Sequence, residues 1–188
     1  MTEYLGLYPQ ELKQLLEGMG EKGFRAGQVF SWLHKGASFD EVVSALEEFK
    51  NHINVQFTVN DLFHLQRGGR VSKTVAIVGS ALSLKPFLYV NADGGLTSDG
   101  TARGRKKALH TLVERMQETL AEDTDYTLPV GVVHGNCLQD AEMIAQLIKE
   151  KTNYKEVIIN DISPSIGTHA GPGAIGILYY GQPKQPAK

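Results

Sequence analysis

The segment from Gly167 to Gly173 carries the residue types best suited to binding an anion. It reads Gly-Thr-His-Ala-Gly-Pro-Gly, so that a Thr-His pair lies among three glycines. Glycine permits backbone conformations in which consecutive N–H groups point at one anion, and a histidine can donate a hydrogen bond to a carboxylate or acyl-phosphate oxygen. The segment is predicted to be an anion-binding loop. The alternative is a plain loop that leads the chain into its last strand.

A second candidate is the turn Arg67-Gly-Gly-Arg70, between a predicted strand and a predicted buried helix. The glycines would let backbone N–H groups approach a ligand, and an arginine can hold a carboxylate or phosphate with two hydrogen bonds. The alternative is a tight turn whose arginines are solvated or paired within the protein.

The basic run Arg103-Gly-Arg-Lys-Lys107 opens a predicted long helix. Cations at a helix start oppose the helix dipole, which favours an anionic partner over mere solvation. Short basic runs also arise by chance, and the chain as a whole is slightly acidic.

Catalytic and metal-binding patterns are missing from the sequence. It contains no HExxH motif, no Ser-His-Asp order, no Walker loop and no dinucleotide-binding glycine pattern. The one cysteine excludes a thiolate zinc site or an iron–sulfur cluster held by this chain alone, and Cys137 is predicted to be a small buried residue. We therefore expect a binding protein that is not an enzyme and uses no cofactor.

Composition limits the remaining classes. The 188 residues carry 19 Lys and Arg against 21 Asp and Glu, and a net charge of −2 argues against a dedicated nucleic-acid binder. The apolar runs are too short to span a bilayer, and the first residues lack the pattern of a secretion signal. We expect a cytoplasmic protein.

Hydrophobic periodicity predicts an α/β fold, a mixed β-sheet flanked by helices, with an amino-terminal helical appendage. Helices are expected from Pro9 to Gly20, around residues 24–36 and from a Ser38–Glu41 capping box to about Ile53. Further helices are predicted over 71–84 (buried on most sides), after Ala102 and over 138–149. Strands are predicted over 55–59, 86–90, 96–102, 129–133, 157–159 and 175–180, and residues 182–188 are predicted to be a frayed polar tail.

From Val59 to Tyr180 the chain resembles the carboxy-terminal half of the DegV family of bacterial fatty-acid-binding proteins. The matching blocks occur in family order: Asp61-Leu62, Leu65 to Lys73, Gly79-Ser80, Lys85-Pro86, Asp93 to Leu96, Arg103 to Ala108, His134, Asp140 to Glu142, Ile166 to His169 and Gly171 to Ala174. Ordered and spaced blocks are more specific than any single motif.

The resemblance implies a tunnel that holds one long-chain fatty acid, with its carboxylate in a polar pocket, and presentation of the acid to a fatty acid kinase for phospholipid synthesis. It places Thr168, His169, Gly171, Gly173, Arg67 and Arg70 at the head-group site. It places Arg103, Arg105 and Lys106 on the surface that docks the kinase.

Residues 1–36 are instead similar to the helical module that begins the radical-SAM ribosomal RNA adenine methyltransferases, notably in Phe24 to Gly36. The cysteines of that family are missing, which excludes methyl transfer. We expect domains over 1–36, 37–181 and 182–188, joined by a gene fusion and without the amino-terminal lobe of DegV proteins. An open tunnel wall would then favour self-association or covering by the appendage.

Two alternatives to fatty-acid binding remain at this stage. One is an RNA-associated module that uses Arg25, Lys35 and the aromatic residues Phe24, Phe30 and Trp32, fused to a degenerate lipid-binding lobe. The other is a truncated relic without activity.

Overall fold

A computed structural model describes residues 9–18, 38–69 and 84–186. The chain divides into two compact units, Met1–Lys50 and Asn51–Lys188. Three sequence predictions lie outside the described residues: the helix around 24–36, the buried helix predicted over 71–84 except for Leu84, which begins a strand, and Arg70. The RNA-binding alternative and the similarity to the methyltransferase module rest mainly on residues 24–36, and both stay predictions.

The first unit contains helix α1 (Pro9–Gly18) and most of helix α2 (Phe39–His52). The predicted capping box at the start of α2 is confirmed. The Ser38 N–H donates to Glu41 Oε2 at 2.6 Å, and the Glu41 N–H donates to Ser38 Oγ at 3.3 Å. These bonds to Ser38 lower the pKa of the Glu41 carboxyl.

The second unit is built on a six-stranded mixed sheet in the order β3-β2-β1-β6-β4-β5. The β4–β5 pair is parallel and the other neighbouring pairs are antiparallel. The strands are β1 (Ile53–Thr58), β2 (Leu84–Val90), β3 (Leu96–Arg103), β4 (Val130–His134), β5 (Val157–Asp161) and β6 (Ile175–Tyr180). The helices are α3 (Leu62–Arg67), α4 (Arg105–Glu118), α5 (Leu138–Lys151) and α6 (Pro164–Ala170). The predicted α/β architecture is confirmed.

Two apolar clusters cover opposite faces of this sheet. The larger cluster joins α4 and α5 to the strands and contains Leu112, Ile144 and Ile177, all fully buried. The smaller cluster joins α3 and the end of α6 to Val59 and Leu88. Phe87 belongs to the first cluster and Leu88 to the second, as expected for neighbours in a strand whose side chains alternate between faces.

Two predictions for the end of the chain are wrong. The predicted loop over 167–173 is helical up to Ala170, because Ser163 caps the helix and Pro164 occupies its first turn, which leaves Gly171–Gly173 as the turn. The predicted frayed tail is tied to the sheet unit through at least residue 185. Its backbone N–H groups at Gln182 and Lys184 donate to the carbonyls of Thr119 and Asn51, both at 2.8 Å.

In the part of the chain that the structure describes, no helix is long and apolar enough to cross a membrane.

Candidate anion-binding site

The polar segments identified in the sequence meet at one edge of the sheet. Strands β4 and β5 are parallel, and the register pairs Thr58 and His134 with the same residue of β6, Ile175. Strands β1, β4 and β5 therefore end at this edge. The carboxyl ends of parallel strands are the usual location of ligand sites in α/β sheets. The segments that follow them are 59–69, 135–137 and 162–174.

Helices α3 and α6 contact each other at this edge through glycine backbone and imidazole rings. The His169 ring packs on the Cα of Gly68, and the His64 ring packs on the Cα of Gly171. A Cβ added at Gly171 would lie 2.5 Å from Cγ of His64, well inside van der Waals contact. Each histidine thus occupies space left by a glycine of the other segment, and two stretches distant in sequence form one site.

Basic side chains lie in the last turn of both helices. His64 and Arg67 are in the last turn of α3, and His169 is in the last turn of α6. The Arg67 Nη2 lies 3.2 Å from Nδ1 of His64, while the Arg67 side chain remains exposed. His169 is half-buried. A guanidinium and two imidazoles within one contact region are suited to a carboxylate, which must be hydrogen-bonded when it leaves water.

The turn Gly171–Gly173 does not offer the predicted nest of free N–H groups. The N–H of Gly171 donates to the Gly167 carbonyl at 2.8 Å, and the N–H of Gly173 donates to the Gly135 carbonyl at 2.6 Å. Pro172 between them has no N–H. Gly171 and Gly173 have φ angles of 75° and 79°, where glycine is favoured. These glycines shape the turn, and their assignment to the ligand site stays a prediction.

Thr168 lies on the exposed side of α6, and its hydroxyl donates to the Pro164 carbonyl at 2.8 Å. This hydrogen bond joins two residues of α6 that are one helical turn apart. The Thr168 hydroxyl proton is therefore already engaged within α6, and the assignment of Thr168 to the ligand site stays a prediction.

The basic run at the start of α4 divides into exposed and paired members. Arg103 and Lys106 are exposed. Arg105 turns inward, where its Nε donates to Oδ2 of Asp140 at 2.8 Å and its side chain is 20% exposed. Arg105 therefore differs from its exposed neighbours in being paired within the fold, with Asp140 in the first turn of α5, and its part in kinase docking stays a prediction.

Replacing Arg105 by alanine is expected to lower the free energy of unfolding by about 1 to 2 kcal/mol, because Asp140 would lose a charge-assisted hydrogen bond. Lys106→Ala is the matched control and is expected to change the free energy by less than about 0.5 kcal/mol. Urea unfolding monitored by circular dichroism measures both values. Equal effects of the two substitutions would contradict the assigned pair.

The Cys137 thiol beside this ion pair is poorly suited to nucleophilic chemistry. Its Sγ donates to the Ala174 carbonyl at 3.5 Å, and burial raises its pKa. Within residues 9–18, 38–69 and 84–186, no group of three or more His, Cys, Asp or Glu side chains could hold a metal ion.

Sequence reasoning missed three residues of this edge. His64 packs on Gly171, the Asn60 side chain packs on Gly173, and the Lys85 Nζ donates to the Asn60 carbonyl at 2.8 Å. Burial and the nearby Arg105 lower the pKa of Lys85. One signal was available, because Asp61 before an apolar residue marks the start of a helix and would have placed His64 and Arg67 on one face of it.

Comparison with known proteins identifies what this chain resembles. The family model described as the DegV family matches residues 18–182. A DegV domain-containing protein of Clostridium perfringens is 41% identical over 151 residues, which are 80% of this chain and 51% of the relative. The match to the family model begins inside the predicted appendage, and the domain boundary at residue 36 stays a prediction.

Solved structures share the fold. A fatty acid binding DegV family protein from Streptococcus agalactiae is 26% identical with a TM-score of 0.72, and the match covers 97% of this chain and 68% of that chain. The fatty acid kinase B3 protein of Streptococcus pneumoniae, loaded with linoleic acid, is 19% identical with a TM-score of 0.70, covering 84% and 55%. The chain spans about half the length of the curated relatives that it matches.

Proposed function

The chain belongs to the DegV family, and we propose that it is a non-catalytic protein that binds a long-chain fatty acid through the carboxylate. The carrying observation is the contact between α3 and α6, which brings His169 onto Gly68 beside Arg67. The relative from Streptococcus agalactiae, named as fatty acid binding, supports the choice of ligand. In this proposal His169 donates a hydrogen bond to one carboxylate oxygen and Arg67 supplies positive charge at the rim.

The proposal includes presentation of the bound acid to a fatty acid kinase. Arg103 and Lys106 support this step because they are exposed at the end of β3 and the start of α4, at the same sheet edge as His169. Cations on an exposed rim steer an acidic partner and raise its association rate, and this effect weakens with salt. The step rests otherwise on the sequence resemblance to DegV proteins.

His169→Ala is expected to raise the dissociation constant for oleate about tenfold, because one hydrogen bond to a charged group contributes about 1.5 kcal/mol. The dissociation constant is measured by isothermal titration calorimetry of delipidated protein with oleate, at oleate concentrations below those at which it forms micelles. Oleyl alcohol is the matched ligand control, since it has the same chain without the carboxylate, and its affinity is expected not to change.

Two results would contradict the proposal. Delipidated wild-type protein that takes up no oleate would exclude fatty-acid binding by this chain. An equal loss of affinity for oleate and oleyl alcohol would show that His169 acts on the chain or the fold and not on the carboxylate.

A further inference from the structure

We propose that Gly68 is a positioning residue for His169: its missing Cβ leaves the space that fixes the orientation of the imidazole ring. This inference rests on the proposed function, because the orientation of the ring matters only if His169 meets the ligand.

The backbone of Gly68 does not itself require glycine. Its φ and ψ are −77° and −1°, a conformation that alanine adopts, and its N–H donates to the His64 carbonyl at 3.1 Å as the cap of α3. The requirement comes from His169. A Cβ at Gly68 would overlap Nδ1 of the ring and lie 3.2 Å from Cγ and 3.4 Å from Cε1. An added methyl group must therefore displace the ring or separate the helices.

The contact between His64 and Gly171 limits the separation of the two helices. His64 on α3 fills the corresponding space at Gly171, with Cγ and Cδ2 each 2.5 Å from where a Cβ would lie. The turn after Gly171 is held in turn by the hydrogen bond from the Gly173 N–H to the Gly135 carbonyl. Since α6 is held at its end by this turn and at its start by the hydrogen bond from the Ile162 N–H to the His134 carbonyl at 2.9 Å, rotation of the His169 side chain is the easier response to a methyl group at Gly68.

Neighbouring glycines do not share this arrangement. A Cβ at Gly167, one helical turn before Gly171, would meet only the Ile162 side chain, with Cδ1 at 3.6 Å and Cγ1 at 3.7 Å, which are ordinary contact distances. A Cβ at Gly69 would meet nothing within 4 Å. The tight contact with His169 is therefore specific to Gly68, and Gly167→Ala is a matched control that adds the same methyl group within α6.

The experiment compares wild type, Gly68→Ala, Gly167→Ala, His169→Ala and the double variant Gly68→Ala/His169→Ala. Oleate titration gives the dissociation constant. The NMR resonances of the imidazole nitrogens and of the carbon-bound ring protons of His169 report a change in the orientation of the ring. We expect Gly68→Ala to shift these resonances and to raise the oleate dissociation constant about tenfold, as His169→Ala does. We expect the double variant to bind no more weakly than His169→Ala alone, and Gly167→Ala to bind like wild type.

If Gly68→Ala folds poorly, the unfolding midpoints of the variants still test the positioning role. The His169→Ala substitution removes the ring and therefore the overlap with the methyl group. The double variant should then have the same unfolding midpoint as His169→Ala alone. Unchanged imidazole resonances in Gly68→Ala, or losses that add in the double variant, would overturn the positioning role. Absence of oleate binding by the wild type would overturn the proposed function instead, and the resonances and the stability rescue would still test the contact.

Discussion

Replacing Leu112 by alanine is expected to lower the free energy of unfolding by about 3 to 4 kcal/mol. Leu112 is fully buried in the cluster that joins α4 and α5 to the sheet. The loss combines the transfer free energy of the deleted groups with the cost of the cavity they leave, because neighbours on two helices and the sheet cannot all collapse inward. Urea denaturation at neutral pH measures the change.

Leu138→Ala is the matched control for this substitution. Leu138 begins α5 and is 51% exposed, so the same deletion is expected to change the free energy by less than about 0.5 kcal/mol. A loss below about 1 kcal/mol at Leu112 would contradict the placement of α4 against the sheet.

Alkaline pH is expected to unfold the protein through two buried tyrosines. Burial raises the pKa of Tyr154 from 10.0 to about 12 and raises the pKa of Tyr179 further. Both side chains are almost fully buried, 3% and 2% exposed. The unfolded chain releases these protons first, so it binds fewer protons than the folded chain above pH 10.0. The tyrosine contribution to stability is then constant below that pH and falls as pH rises, by about 1.4 kcal/mol per pH unit for each tyrosine that is protonated in the folded chain and ionised in the unfolded chain.

Tyr154→Phe tests the alkaline prediction. The Tyr154 hydroxyl makes one long hydrogen bond, 3.4 Å to the Tyr180 carbonyl, so its removal is expected to cost little at neutral pH. The slope of the unfolding free energy between about pH 10 and pH 12 should become less steep by about 1.4 kcal/mol per pH unit, since one linked proton is lost. An unchanged slope would show that Tyr154 does not contribute. Tyr179→Phe is less suitable, because the Tyr179 hydroxyl accepts a hydrogen bond from Gln56 Nε2 at 2.5 Å and forms another with the Thr119 hydroxyl, and both would be lost.

Local patterns were sufficient to predict most of the elements. The Ser38–Glu41 box marks the start of α2 correctly because a capping box involves residues within one turn. The continuous apolar run of β6 and the helical spacing of Leu109, Leu112, Val113 and Met116 on α4 are likewise patterns of neighbouring residues. The prediction of a loop over 167–173 is wrong because it gave more weight to the three glycines than to Ser163 and Pro164, which mark the start of a helix.

The candidate site was only partly predictable. The sequence pointed to His169 and Arg67, whose residue types suit an anion, but the partners of these side chains come from distant segments. Arg105 reads like its basic neighbours until α5 places Asp140 against it. His64 gives no signal as a site residue until the fold packs it on Gly171.

The sequence alone indicated the family, the six strands and most of the helices, because periodicity and ordered motifs are properties of neighbouring residues, but it gave no prediction of α3 and placed a loop over part of α6. The tertiary structure alone decided which basic residues pair within the fold and which glycines leave no room for a Cβ. The physical reason is that burial and close packing depend on the approach of segments far apart in the chain, such as α3 and α6, and no local pattern specifies that distance.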